Sequence, residues 1–233
     1  MRIGILKADS VRDEFQSEFG DYQGMFQRVL DSVGNDALEY RTYDVLAGDY
    51  PESIDECDGY VITGSRESVY DDQDWIRRLG GFVIALHEQQ KRTVGICFGH
   101  QLIAHVLGGE TTPAARGWGV GVHEFRIEDA PPWMTEATGS FRLLCSHRDQ
   151  VARLPQDARV FARSDFCPVA GFTLGEHFVT FQGHPEFVKP YAEILMESRK
   201  ELLESAYDKG IASLAETTDE AQVATWMLEF FQQ

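Results

Sequence analysis

The stretch TVGICFGHQLIAHVL, residues 93–107, carries the strongest indication of the fold. It begins as a short apolar segment typical of a buried strand and continues with apolar residues at helical spacing, ending at Gly108-Gly109. A strand that passes directly into a helix is a building unit of parallel sheets. We therefore expect residues 93–97 to be an inner strand, followed by a helix that covers one face of the sheet.

The residues before this stretch show the same alternation of strand and helix. Apolar segments typical of buried strands and amphipathic helices alternate at residues 3–6, 22–33, 38–43, 60–63 and 75–86. This order predicts an α/β fold with a central, mostly parallel sheet and helices on both faces. Active sites of such sheets lie at the carboxyl ends of the strands, and both Gly64 and Cys97 occupy such ends.

The second half of the chain follows a different pattern. Strand-like segments joined by short turns occur at residues 119–127, 141–146, 159–166, 169–174 and 178–182. They predict an antiparallel ribbon and returning edge strands. Two helices are expected to follow, over about 191–207 and 220–231. Because no linker is visible, we expect a single domain over 1–233, with a C-terminal helical extension at about 208–233.

Composition and charge narrow the class of protein. The hydrophobic share is 43% and the charged share 25%, as in ordinary globular proteins. The net charge of -17 disfavours binding to nucleic acid and to anionic membranes. The first residues are too soon interrupted by charges to form a signal peptide, and no long apolar stretch occurs. A cytoplasmic location and a small-molecule substrate are therefore expected.

The cysteines do not form a metal-binding pattern. The spacings of Cys57, Cys97, Cys145 and Cys167 match neither a CxxC pair nor a zinc motif, and a reducing cytosol would keep them as free thiols. His100 and His105 are five residues apart on a predicted helix and do not share a face. We expect neither a metal nor another cofactor.

Cys97, unlike the other three cysteines, lies in a recognisable sequence motif. Gly95-Ile-Cys97-Phe-Gly99 has the form of a nucleophile elbow, in which small residues on both sides allow a sharp strand-to-helix turn. At the N-terminus of a helix, Cys97 would be favoured as the nucleophilic thiolate. The N–H of Phe98 would point towards a developing oxyanion. By itself, the pattern also fits a buried cysteine in a glycine-rich turn.

A second constellation, Gln182-Gly-His184-Pro-Glu186, follows a predicted strand. A thiolate nucleophile needs an imidazole that later protonates the leaving amine, and the imidazole needs an acceptor on its other nitrogen. His184 and Glu186 could supply both groups. Alone, these residues would also fit a helix start. Together with the elbow at Cys97, they favour a catalytic interpretation.

These two motifs resemble the nucleophile motif and the histidine motif of the class I (triad) glutamine amidotransferases. Two weaker matches, residues 63–68 and 145–151, resemble the family's oxyanion turn and the segment beside the bound glutamine. All four have the family's order and spacing, and the resemblance extends from residue 1 to about 205. It implies a flavodoxin-like fold. The most similar branch is the stand-alone one, with plant γ-glutamyl peptidases and bacterial proteins similar to the glutaminase part of GMP synthetase.

The resemblance implies a role for each matching residue. Cys97 would be the nucleophile, His184 the base and Glu186 the group that orients it. The oxyanion hole would consist of backbone N–H groups in the Gly64 turn and after the nucleophile, from Ser65 and Phe98. The glutamyl group would contact Gln101, Ser146 and His147. Many members have Gly-Gly-Pro in the oxyanion turn, whereas Ser65 makes a peptide flip costlier here and favours a fixed hole.

Three functions are compatible with this sequence. The first is hydrolysis of the γ-amide of glutamine or a γ-glutamyl compound through a γ-glutamyl thioester on Cys97. The second is a glutaminase subunit that delivers ammonia to a separate synthase partner and is nearly inactive alone, because no synthase domain follows in this chain. The third is a non-catalytic binding protein, which the complete triad disfavours. The leaving group and the role of residues 116–121 are left open.

Overall fold

Nine strands form one sheet in the computed structural model, which describes residues 1–34, 38–137 and 139–233. A second sheet has two strands. In chain order, the strands are β1 (Arg2–Lys7), β2 (Glu39–Asp44), β3 (Gly59–Ile62), β4 (Thr93–Ile96), β5 (Glu110–Pro113), β6 (Gly119–Ile127), β7 (Ser140–His147), β8 (Asp149–Arg153), β9 (Ala158–Arg163), β10 (Gly171–Leu174) and β11 (Phe178–Phe181). The helices are α1 (Asp13–Phe19), α2 (Tyr22–Val33), α3 (Asp74–Glu88), α4 (Phe98–Val106), α5 (Lys189–Glu197), α6 (Lys200–Leu203), α7 (Ser205–Ser213) and α8 (Glu220–Phe231), with a 3₁₀ turn at Ile54–Glu56.

The large sheet is parallel at one end and antiparallel at the other. Its strand order is β2-β1-β3-β4-β11-β10-β9-β6-β7. The first five strands pair in parallel, and the remaining pairs are antiparallel. The small sheet is an antiparallel pair of β5 and β8. The predicted α/β fold, with a mostly parallel central sheet and an antiparallel ribbon, is therefore confirmed.

Helices cover both faces of the sheet, as the apolar strands require. On β1, Ile3 and Ile5 are fully buried in a cluster that includes Leu30 of α2 and apolar residues of α8. The next residue, Leu6, belongs to the cluster on the other face, with Val83 of α3 and apolar residues of α4. Because successive side chains of a strand point to opposite faces, an inner parallel strand buries almost every residue.

The C-terminal part differs from the prediction of one helix over residues 191–207. Three helices replace it: α5 ends at Glu197, and α6 ends where Glu204 adopts a φ of 49°. No Gly or Pro occurs between residues 191 and 207 to signal these breaks. The last helix, α8, lies where it was predicted, and its Trp226 is 1% exposed.

Four short elements were not predicted at all: α1, β5, β8 and the 3₁₀ turn at Ile54–Glu56. In β5 and β8 the sequences ETTP and DQVAR lack both an apolar run and a regular alternation, so their pairing depends on contacts distant in sequence. Within the ranges that the structure describes, no helix has the length and apolar character needed to span a membrane.

Candidate functional site

The carboxyl ends of four neighbouring parallel strands meet at one edge of the sheet. β1, β3, β4 and β11 are followed by Asp9, Gly64, Cys97 and His184, respectively. All four residues line one cavity with a volume of about 430 Å³. This volume is within the range of about 300–1,000 Å³ that is usual for small-molecule sites. The parallel half of the sheet thus brings together residues that are far apart in the sequence.

Cys97 occupies a strained turn between β4 and α4. Its φ is 51° and its ψ is -99°, a conformation that residues with a side chain rarely adopt. The N–H of Cys97 donates to the Phe181 carbonyl at 2.9 Å, and its carbonyl accepts from the N–H of Gln101 at 3.0 Å. A Cβ at Gly95 would lie 2.8 Å from the Gly99 carbonyl, so the turn can be this tight only without one. These constraints hold Cys97 at the N-terminus of α4, beside the cavity.

The His184 ring is fixed on several sides. Its Nδ1 shares a hydrogen bond of 2.8 Å with Glu186 Oε1, and because a carboxylate can only accept, Nδ1 carries the proton. Both residues are 4% exposed. The backbone N–H of His184 donates to the Leu144 carbonyl at 2.8 Å, which ties this segment to β7. Phe187 stacks on the ring with a centroid distance of 3.9 Å and an interplanar angle of 11°.

The charge on His184 is set by its two neighbours. Burial by itself lowers the pKa of an imidazole, but the negative charges of Glu186 and Cys97 outweigh this effect and raise the pKa of His184 to about 10. Near neutral pH, His184 is therefore an imidazolium. Its Nε2 makes no regular hydrogen bond to the residues that the structure describes, although the interaction with the Cys97 sulfur contributes to the raised pKa.

Gly64 allows the chain to pass close to this pair. A Cβ on Gly64 would lie 2.9 Å from His184 Cε1 and 3.7 Å from the Cβ of Cys97. The first of these distances is shorter than side-chain contacts normally allow, so a larger residue would push the imidazole away from the sulfur. The contribution of Gly64 is therefore the close approach of its backbone to His184 and Cys97, which a side chain would prevent.

The two residues that were predicted to donate N–H groups belong to the segments that follow β3 and β4. Ser65 lines the cavity, and its hydroxyl is turned towards the following loop, where it accepts from the N–H of Glu67 at 3.2 Å. Phe98 is the first residue of α4, and its side chain is buried against Trp75 with a centroid distance of 5.4 Å. A first helical residue has no acceptor for its N–H within the helix. Both backbone N–H groups are thus in segments next to the sulfur.

The three residues predicted to contact the glutamyl group all line the same cavity. Gln101 is fixed because its Nε2 donates to the Asp149 carbonyl at 2.8 Å. The same carbonyl lies 3.1 Å from Nδ1 of His147. The hydroxyl of Ser146 accepts from Arg199 Nη1 at 3.3 Å. The structure therefore brings together every residue that the motifs singled out.

Two other buried histidines show how desolvation changes the pKa of an imidazole. His100 bonds through Nδ1 to Thr180 Oγ1 at 2.8 Å, and desolvation lowers its pKa to about 3. Desolvation also lowers the pKa of His147 to about 3. Both rings are therefore neutral near pH 7, unlike His184. In the described parts of the chain, no group of three or more His, Cys, Asp or Glu side chains is arranged to hold a metal ion.

Several residues of the cavity were missed by the sequence reasoning. Outside the motif segments, they include Asp9, Arg12, Tyr22, Trp118, Phe187, Tyr191 and Arg199, and within those segments Arg66 and Arg148 had been given no role. The rule that drew attention to Gly64 and Cys97 applies equally to Asp9, which lies two residues beyond β1. Trp118 falls in the segment 116–121, whose role the sequence left open. Arg199 lies in the break between α5 and α6, for which the sequence offers no signal.

Comparison with known proteins relates the chain to one family. Residues 32–197 match the family model described as glutamine amidotransferase class-I. γ-Glutamyl peptidase 3 of Arabidopsis thaliana is 34% identical over 184 residues, which are 76% of this chain and 73% of that protein. GMP synthase [glutamine-hydrolyzing] of Aeropyrum pernix is 30% identical over 171 residues, which are 72% of this chain and 31% of that protein.

The fold has counterparts among solved structures. A glutamine amidotransferase from Thermotoga maritima superposes with a TM-score of 0.77 and 19% sequence identity, and the match covers 100% of this chain and 96% of that one. At this level of identity the similarity concerns the fold alone.

Proposed function

The chain belongs to the class I glutamine amidotransferase family, and on that premise we propose that it hydrolyses the γ-amide bond of glutamine or a γ-glutamyl compound through a thioester on Cys97. The observation that carries the proposal is the buried His184–Glu186 hydrogen bond of 2.8 Å beside a cysteine held at a helix N-terminus. We call Cys97, His184 and Glu186 the triad. The raised pKa of His184 favours an imidazolium beside the Cys97 sulfur at rest.

In the first step, the Cys97 thiolate attacks the γ-carbonyl carbon, and a C–S bond forms as the carbonyl π electrons move to oxygen. The tetrahedral intermediate collapses when the C–N bond breaks, and the leaving nitrogen takes a proton from Nε2 of His184. The products are ammonia or an amine and a γ-glutamyl thioester. In the free protein Nε2 makes no regular hydrogen bond to the described residues, so its proton is available to the leaving nitrogen while Glu186 holds the ring.

In the second step, neutral His184 takes a proton from water, and the resulting hydroxide equivalent attacks the thioester carbon. The C–S bond breaks, glutamate is released, and the thiolate and imidazolium are restored. The sum is one amide and one water converted to one carboxylate and one protonated amine. Throughout both steps, Glu186 holds Nδ1–H and keeps the ring in one orientation.

The oxyanion formed in each step would be bound by backbone N–H groups of Ser65 and Phe98. Such donors act strongly because they are already oriented and the site excludes water. In many relatives a glycine occupies the position of Ser65, and a residue with a Cβ restricts rotation of this peptide. We infer that the hole in this protein stays formed in the absence of any partner.

The glutamyl end would be bound at Gln101, Ser146 and His147. Supporting this, the side chains of Gln101 and His147 are both buried and both bond to the Asp149 carbonyl, so they are fixed before substrate arrives. His147 Nε2 is buried without a partner among the described residues, and a polar group of the substrate could fill that need.

The experiment that tests the function measures glutamate and amine release from glutamine and from a panel of γ-glutamyl dipeptides. Cys97→Ala should abolish release from every substrate. Cys57→Ala is the matched control, because Cys57 is equally a buried free thiol but does not line the cavity. Retention of wild-type turnover by a folded Cys97→Ala protein would overturn the proposal.

A second candidate is a glutaminase subunit that delivers ammonia to a separate synthase. The similarity to a part of a GMP synthase favours it, because the matched segment covers 31% of that protein. This candidate predicts slow turnover of glutamine alone and a marked increase when a copurifying synthase is added. Fast hydrolysis of a dipeptide by the isolated chain, unaffected by any partner, would exclude it.

We also propose a cytoplasmic location, since the mechanism needs Cys97 as a reduced thiol and the cytosol maintains thiols. Cell fractionation with an antibody to the protein tests this directly. Recovery in an oxidising compartment, with Cys97 in a disulfide, would contradict it.

A further inference from the structure

Arg199 is a cation that lines the cavity of the candidate site. It occupies the break between α5 and α6 and lines the same cavity as Cys97 and His184. Within the described ranges it forms no ion pair, and its recorded hydrogen bond is the one from Nη1 to the Ser146 hydroxyl at 3.3 Å. In a chain with a net charge of -17, acidic partners are abundant, so their absence at this guanidinium is informative.

The surroundings of Arg199 make it unfavourable to leave the guanidinium charge unpaired. Burial lowers the pKa of its guanidinium, and Arg12 and Arg66 act in the same direction, while Tyr22 and Tyr191 oppose them. A partly buried charge without a counterion costs free energy, and a ligand that supplies the counterion offsets this cost. Most of the N–H donors of this guanidinium remain available for a planar, two-oxygen acceptor.

We call Arg12, Arg66 and Arg199 the arginine cluster. The three charges differ in how far neighbouring carboxylates neutralise them. Arg66 is neutralised by Asp9, because its Nε donates to Asp9 Oδ2 at 2.8 Å. Arg12 has only a contact of 3.9 Å with Glu14, between exposed side chains, and such pairs contribute little. The cluster therefore leaves excess positive charge along the cavity, with Arg199 as a partly buried member.

The arginine cluster meets the proposed glutamyl site at Ser146, whose hydroxyl accepts from Arg199 Nη1 at 3.3 Å. Gln101 and His147 both bond to Asp149, whereas Arg199 interacts with Arg12 and Arg66 and with the tyrosines of α2 and α5. Cys97 and His184 line the cavity together with both groups. A substrate held by its glutamyl end at Gln101 and His147, with its γ-carbonyl at Cys97, would have its leaving group among the remaining residues of the cavity, of which Arg199 is one.

We propose that Arg199 binds the free carboxylate of an amino acid attached to the γ-carbonyl, so that the preferred substrates are γ-glutamyl peptides rather than glutamine. This inference rests on the proposed function and names its substrate class. Ammonia, the leaving group of glutamine, has no anionic part that would use the guanidinium. An amino-acid leaving group has a carboxylate, which a guanidinium can bind through two parallel hydrogen bonds. Trp118 and Leu202 also line the cavity and could contact its apolar side chain.

The test compares three substrates that all retain the glutamyl α-carboxylate: γ-glutamylglycine, γ-glutamylglycinamide and glutamine. The first alone has a carboxylate beyond the scissile bond. Arg199→Gln should lower kcat/KM for γ-glutamylglycine by roughly 10- to 100-fold and change the other two by less than about 3-fold, since a hydrogen bond to a charged group is worth about 1.5–3 kcal/mol. Arg199→Lys should restore part of the loss.

The matched control is Arg159→Gln, which removes the same charge from an exposed position on β9 outside the cavity and should change none of the three rates. Equal losses on all three substrates would overturn the inference, because Arg199 would then act on the glutamyl end or on the fold. Unchanged rates on all three would overturn it as well.

A binding measurement separates failure of this inference from failure of the proposed function. If the wild-type protein hydrolyses none of the three compounds, calorimetry with Cys97→Ala replaces kinetics. Tighter binding of γ-glutamylglycine than of its amide, lost in the Cys97→Ala, Arg199→Gln protein, supports the role of Arg199. Equal binding of the two compounds, or binding of neither, overturns it.

Discussion

Cys97 and His184 of the triad line one cavity with the arginine cluster, but the two groups handle charge in opposite ways. In the triad, the imidazolium of His184 has Glu186 on one side and the Cys97 sulfur on the other, so every charge has a partner before substrate arrives. In the arginine cluster, Arg199 has no carboxylate partner among the described residues, so its charge awaits one. The difference indicates that one region is preorganised for chemistry and the other for recognition.

The same contrast holds for the elements that carry the residues. The triad follows two paired parallel strands, β4 and β11, whose hydrogen bonds fix the distance between Cys97 and His184. The arginines stand at helix starts and in turns: Arg12 precedes α1, Arg66 follows β3, and Arg199 precedes α6. Changes in the triad should therefore affect all substrates alike, whereas changes in the arginine cluster should alter the choice among them.

Cys97→Ala gives the largest expected effect. Loss of the nucleophile should reduce kcat by about 10⁴-fold or more for glutamine and for every γ-glutamyl peptide, since removal of a covalent nucleophile costs up to about 10⁶-fold in comparable triads. Steady-state rates with both substrate types check it. A loss confined to one type would break the contrast, because the two types would then not share one nucleophile.

Glu186→Gln should have the next largest effect on activity. A glutamine keeps the size but loses the charge that orients and stabilises the imidazolium, and we expect kcat to fall by about 10²- to 10⁴-fold for all substrates. Glu67→Gln is the matched control, because Glu67 lines the cavity and its Oε2 accepts from Gln73 rather than from a histidine. Similar losses in both variants would mean that general cavity charge, not the His184 contact, matters.

The pH profile should show the charge of His184. Because its pKa is raised to about 10, activity that needs the imidazolium should be lost as pH rises through about 10. Glu186→Gln removes the main attraction that raises this pKa, so the alkaline loss should move to lower pH. Measurement of kcat/KM across alkaline pH, with circular dichroism at each point, checks both statements. An unchanged alkaline limb in the variant would contradict this assignment.

The same group affects stability, with a defined sign. The pKa of His184 in the folded protein lies above its ordinary value of 6.5. Its charge therefore stabilises the fold fully below about pH 6.5, and this contribution is lost as pH rises through about 10. Denaturant unfolding near pH 7 and near pH 10 should show a smaller decrease for His184→Gln than for the wild type.

Arg12→Gln should have the smallest effect. Arg12 is exposed and contributes to the positive field rather than to a fixed contact, so kcat/KM for γ-glutamylglycine should fall by only about 2- to 5-fold. Added salt should remove most of this difference, because exposed charges are screened. A loss as large as that of Arg199→Gln, and insensitive to salt, would shift the proposed carboxylate contact to Arg12.

The sequence was sufficient for the triad because each member stands in a short motif at a strand end. The apolar runs at residues 3–6, 60–63 and 93–97 predicted the parallel strands, and the carboxyl-end rule then placed Gly64 and Cys97 at one edge. The same rule would have found Asp9. Motifs at strand ends are informative because the ends of paired parallel strands lie at the same edge of the sheet. Residues that follow such strands are therefore close in space even when they are far apart in the sequence.

The arginine cluster lay beyond sequence reasoning for a physical reason. In a continuous helix over residues 191–207, nothing would distinguish Arg199 from the other polar residues of that helix. No Gly or Pro signals the break that the structure has there. Breaks of this kind are set by packing rather than by local propensity. The strands β5 and β8 were missed for the same reason, because their polar sequences pair only through contacts distant in the chain.

The most direct test of the account is hydrolysis in the presence of hydroxylamine, which competes with water for the thioester on Cys97. If one γ-glutamyl thioester forms after every leaving group has departed, the ratio of γ-glutamyl hydroxamate to glutamate will be the same for glutamine and for γ-glutamylglycine. The account predicts this single ratio, unchanged in Arg199→Gln. A ratio that depends on the leaving group, or continued hydrolysis without any hydroxamate, would contradict it.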